Sequence, residues 1–90
     1  KRLNNHLKIT VKYFSWIRVK LNKHEDLFEV DDKFNFQDFK SYLIKRDNFY
    51  LEVFNDSSIK FFINFKEIEN EDIKLVDGDE LGILPPVTGG

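Results

Sequence analysis

Four apolar residues stand at every second position of one unbroken run, Leu7, Ile9, Val11 and Tyr13, with Lys8, Thr10 and Lys12 between them. A strand sends successive side chains to opposite faces, so this run buries one face and leaves the other open to water. The run Ile59-Lys60-Phe61-Phe62-Ile63-Asn64-Phe65 repeats the pattern, with Ile59, Phe61, Ile63 and Phe65 on one side and Phe62 on the other. A sheet made of such strands needs one covering layer on one face.

The cover is legible between them. Asn35 suits a helix N-cap, and Asp38 three residues on places a negative charge where the helix dipole favours it. Phe34 and Phe39 have the spacing of a hydrophobic staple. Phe36, Phe39, Leu43 and Ile44 then share one face of a helix predicted to run to about Arg46. Glu25–Val30 reads as a second strand, the hairpin partner of the first, joined to it through a tight connection over Phe14–Leu21 that holds a short helical turn. Phe49–Phe54 fits a short helix or an extra strand, and periodicity does not choose between them. Asn55–Ser58 is a turn cluster, Lys66–Ile68 a short strand, Glu69–Asp72 a polar loop and Asp77-Gly78-Asp79 a turn. Glu80–Leu84 is the last strand. The predicted fold is α+β, a mixed sheet of four to five strands with its helices gathered on one face. If the first and last strands are neighbours they run parallel, and the last strand leaves from the interior of the sheet.

Ninety residues make a single domain, 1–90, with one core. Ten phenylalanines fill such a core without help from disulfides or a metal, and the chain has no cysteine. That excludes a thiolate nucleophile, a cysteine persulfide and a cysteine-based zinc site. The net charge of −2 lacks the basic surplus of a general nucleic-acid binder. No apolar run reaches membrane-spanning length, and a cytoplasmic protein is the expectation.

The last strand is followed by Pro85-Pro86-Val87-Thr88-Gly89-Gly90. Proline supplies no backbone N–H, so sheet pairing stops at Leu84 and 85–90 is expected to protrude as a flexible tail. Glycine has no Cβ, so Gly89 and Gly90 fit a channel too narrow for other residues. The result is a carboxylate on a thin stalk above a rigid base.

The segment Leu75–Gly90 closely resembles the end of MoaD-type proteins, the small sulfur-carrying subunits of molybdopterin synthase. There a Gly-Asp-Glu turn leads through an apolar strand to Pro-Pro, two further residues and Gly-Gly. The first strand, the Asn35-capped helix and the Ile59–Phe65 strand also match the family's β-grasp, ubiquitin-like order. The resemblance implies a mechanism. An E1-like adenylating enzyme (MoaB/MoeB-like) uses ATP to adenylate the carboxylate of Gly90, and a sulfur donor converts it to a thiocarboxylate. A MoaE-like large subunit then accepts the tail and passes sulfur to a pterin precursor. Gly90 carries the sulfur, Gly89 is its slender neighbour, and Pro85, Pro86, Val87 and Thr88 form the docking stalk. The family docks partners through the open sheet face near the tail, which makes Leu84 and Phe62 candidate contacts. No bound cofactor is implied, and the chain is a carrier rather than an enzyme. The chemistry needs no catalytic side chain here: adenylation supplies the leaving group that a carboxylate lacks.

Other readings compete. Small archaeal modifier proteins share the fold and the tail, and their type would join Gly90 to substrate lysines. Carriers for thiamine synthesis (ThiS-type) or for tRNA thiolation use the same first step, though ThiS-type tails usually lack Pro-Pro-Val-Thr. An inert binding module is the remaining alternative. Asp79 and Glu80 have no third ligand nearby and read as a solvated turn. His6 and His24 read as surface residues, and Trp16 as a core or rim residue. Of Ile83 and Leu84, one is expected in the core and the other on the open face.

Overall fold

The computed structural model describes residues 5–86. The elements are β1 (His6–Tyr13), α1 (Ser15–Leu21), β2 (Glu25–Asp31), α2 (Phe36–Arg46), α3 (Phe49–Asn55), β3 (Lys60–Ile63), β4 (Lys66–Glu67) and β5 (Glu80–Leu84). They build one mixed sheet in the order β2-β1-β5-β3-β4. β1 pairs antiparallel with β2 and parallel with β5, and β5 pairs antiparallel with β3. The first and last strands are therefore neighbours, and β5 has a partner on each side.

The alternation in β1 is obeyed along its length: Leu7, Ile9, Val11 and Tyr13 are all buried. They meet Phe28 and Val30 of β2, Leu81 and Ile83 of β5, and Phe36, Phe39 and Leu43 of α2. Ile17 of α1 and Tyr50 and Val53 of α3 join the same cluster, so all three helices lie on one face. Rings lock this layer together. Phe28, Phe34 and Phe39 surround Tyr42, and Phe36, Phe54 and Phe61 contact one another edge-on, tilted or stacked at 5.0–6.2 Å between centroids.

α2 starts where its sequence says. Asn35 Oδ1 accepts from the N–H of Asp38, and Asp38 Oδ2 accepts from the N–H of Asn35, a complete capping box. The first helical N–H groups are satisfied by the loop before β5: Phe36 donates to Ile73 O and Gln37 to Glu71 O. Lys40 pairs with Glu71 at 2.8 Å on the same seam. Leu75 from this loop is buried in the core.

Two expectations are sharpened and one is overturned. The connection after β1 is a helix of seven residues, closed by Asn22 in the left-handed region, whose N–H reaches back to Arg18 and Val19. Phe49–Phe54 is helical, since Tyr50 and Val53 pack inward three residues apart. The β3 run ends at Ile63 rather than Phe65. Asn64 and Phe65 both adopt positive φ, 51° and 72°, so the chain reverses there and Phe65 swings out to 90 % exposure.

Candidate functional site

β5 is positioned by the turn that precedes it. Gly78 takes φ 92°, a conformation that side chains resist, and its N–H donates to Lys8 O at 2.9 Å. Asp77 Oδ1 accepts from Lys8 N–H at 2.7 Å, and Thr10 N–H donates to Asp79 O at 3.0 Å. Asp79 is buried, against the expectation of a solvated turn. Its two carboxylate oxygens accept from Val76 N–H and Asn64 Nδ2, each at 2.8 Å. Asn64 in turn accepts from Glu80 N–H through Oδ1 and donates its own N–H to Glu80 O. Asp79 and Asn64 thus tie the start of β5 to the tip of the β3–β4 hairpin. These bonds account for both carboxylate oxygens of Asp79, and no metal-binding cluster occurs among the described residues.

Register then fixes what each face of β5 presents. Ile83 is fully buried, while Leu84 is half-buried on the open face. Lys12, Gly82, Phe62 and Glu67 form one cross-strand row over four strands. Because Gly82 carries no side chain, the row has a gap at its middle. The gap is a hollow of about 240 Å³ walled by Phe62, Leu84, Phe14 and Phe65, with Lys12 and Glu80 at the rim. Those two charges pair at 3.6 Å. A Cβ on Gly82 would stand 3.3 Å from Leu84 Cδ1 and 3.6 Å from Phe14 Cε2, so any side chain there would occupy the hollow.

Of the residues singled out from the sequence, Phe62 and Leu84 come together in this hollow. Pro85 is buried and Pro86 exposed, so the body of the domain extends one residue into the expected stalk. Val87, Thr88, Gly89 and Gly90 lie outside the described residues. Phe14, Phe65 and Lys12 were not singled out. Phe65 reads as inward from alternation alone; the signal against that is Asn64, a residue at home in a positive-φ turn. Gly82 carries its signal in standing inside the apolar run of the last strand, where a side chain would be expected. His24 lies exposed beside Arg18, and Trp16 sits at the rim, edge-on to Phe49 at 6.1 Å.

The sheet order, with helices on one side, is the β-grasp, ubiquitin-like arrangement. The model of the ThiS family matches residues 11–90. No curated protein sequence matches the chain. Among solved structures, a protein designated molybdopterin converting factor subunit 1 from Pyrococcus furiosus is 26% identical with a TM-score of 0.76, over 90% of this chain and 99% of that one. Small archaeal modifier protein 1 from Methanosarcina acetivorans is 25% identical with a TM-score of 0.69, over 97% and 100%. A chain in the complex of subunits 1 and 2 of the molybdopterin-converting factor from Helicobacter pylori is 24% identical with a TM-score of 0.64, over 93% and 100%.

Proposed function

Because this chain belongs to the ThiS family, we propose that it is a sulfur carrier whose Gly90 carboxylate is activated by an E1-like adenylating enzyme for molybdopterin synthesis. A carboxylate oxygen of Gly90 attacks the α-phosphorus of ATP, and pyrophosphate leaves. A sulfur nucleophile then attacks the acyl carbon, AMP leaves, and a thiocarboxylate remains. Apart from the Gly90 carboxylate itself, the carrier supplies no side-chain acid, base or nucleophile to these steps. It supplies a slender acyl end and a surface for partners to hold.

The observation that carries the reading is the family match, which runs through the Pro-Pro-Val-Thr-Gly-Gly segment to residue 90. The geometry supports it in two ways. The segment follows directly from β5, the strand held on both sides. An apolar hollow lies on the open face beside the start of that segment, ready for a partner's side chain. The Helicobacter structure, a complex of subunits 1 and 2, supports a large-subunit partner for this chain.

The test is intact mass after incubation with a cognate activating enzyme, ATP and a sulfur source. The expected result is replacement of one oxygen by sulfur at Gly90, a gain of roughly 16 Da. Deleting Gly90 should abolish ATP–pyrophosphate exchange while leaving the fold intact; unchanged exchange refutes the proposal. The likeness to the archaeal modifier favours a second reading, in which Gly90 is joined to substrate lysines. Lysine-linked conjugates in cell extract, dependent on Gly90, would select it.

A further inference from the structure

The sheet has a long free edge. β2 lies outermost and pairs only with β1, in an unbroken register from His6–Asp31 to Lys12–Glu25. The direction of its free backbone groups follows from the ladder. Tyr13 N–H donates to His24 O at one end and Asp32 N–H to Asn5 O at the other. Antiparallel pairs alternate between bonded and non-bonded, so the even-numbered residues of β2 face β1. The N–H groups of Glu25, Leu27, Glu29 and Asp31 therefore point away from the sheet. Those same residues place their side chains on the open face, since Phe28 and Val30 are in the core.

The chemistry of this edge is one-sided. Glu25, Asp26, Glu29 and Asp31 give β2 four acids and no base. Leu27 stands among them at 66 % exposure. An edge acidic at each end and apolar between repels a second copy of itself, because acid would face acid across the two-fold. It suits an extended segment with basic residues at alternate positions and an apolar one between them. We propose that the free edge of β2 accepts a basic, extended segment of a partner protein as a sixth strand. The main-chain groups of Glu25, Leu27 and Glu29 supply the pairing, and Glu25, Glu29 and Asp31 choose the sign of the partner's charge. This edge is separated from β5 by β1, so its occupation leaves β5 and the hollow accessible.

The test is an amide titration of the whole chain by NMR with the peptide Lys-Thr-Lys-Thr-Val-Thr-Lys-Thr-Lys, which presents the same face in either strand direction. Shifts and slowed hydrogen exchange are expected at Leu27 and Glu29, with no change around Gly82. The peptide with every lysine replaced by glutamate should bind about tenfold more weakly or not at all. The double variant E25K/E29K should reverse that preference while retaining the spectrum of the folded domain. Leu27→Pro removes one outward N–H without touching the β1 ladder and should also weaken binding. Three outcomes overturn the proposal: no response at Leu27 and Glu29 at millimolar peptide, equal binding of both peptides, or β2 amides protected instead by self-association.

Discussion

Two single residues shape the open face by contrary means. Gly82 does so by having no side chain, and Phe65 by holding a bulky one where the backbone resists it. Gly82→Leu should therefore separate docking from folding. The clash it creates is with the movable tip of Leu84, and a strand tolerates leucine better than glycine, so the melting temperature should hold or rise. The hollow would be filled, and ATP–pyrophosphate exchange with the activating enzyme should fall by about tenfold or more. Exchange at the normal rate would show that the hollow is not used. Phe65 at φ 72° sits in the left-handed region, which costs an ordinary residue about 1 kcal/mol. Phe65→Gly turns the hairpin tip into Asn-Gly, the preferred pair for such a turn. It should raise stability by up to about 1 kcal/mol in a urea titration, at the expense of the aromatic wall it removes. A lower denaturation midpoint would show that the turn holds no strain.

At the scale of elements, what the sequence made legible was whatever depended on near neighbours. The capping box of α2 needs only Asn35 and Asp38, and the bounds of the helix followed. Asn35→Ala removes the acceptor for Asp38 N–H and should cost about 1 kcal/mol in chemical denaturation, with Asp38→Ala costing less. A loss near zero would mean that the bonds from Phe36 and Gln37 to the loop before β5 already hold the helix start. β1 and β5 were equally plain, one from alternation and the other from the proline stop. The misses came from distance. Phe49–Asn55 is a helix because Tyr50 reaches the Tyr13 hydroxyl and Val53 reaches the core, neither of which shows in seven residues of sequence. Asp79 looked solvated because its partner Asn64 lies in another hairpin. The hollow at Gly82 depends on Phe14 and Phe65 arriving from separate connections, so Leu84 and Phe62 were visible beforehand and the rest of the wall was not.

The whole molecule joins its layers through a polar contact in an otherwise apolar core. Tyr13 of β1 donates to Asp26 Oδ2 of β2 at 2.8 Å, and Tyr50 of α3 donates to Tyr13. Burial first, and then the hydrogen bond to Asp26 and its negative charge, raise the Tyr13 hydroxyl far above the ordinary tyrosine range; burial also raises Tyr50. A raised pKa means that the folded state holds these protons more tightly than the unfolded chain. The resulting stability is complete below the unfolded tyrosine pKa of about 10 and declines as pH climbs beyond it. The denaturant midpoint should hold from pH 7 to 9 and drop by pH 11, and the double variant Y13F/Y50F should drop less. Equal drops would place the alkaline loss elsewhere. The placement of β5 also has a mechanical consequence. A strand gripped along both borders cannot be peeled from the end as an outer strand can; tugging on residue 86 must shear two ladders together. An enzyme that seizes the tail, pulls it into a cleft and lets go would therefore return the globule undamaged, ready for another round.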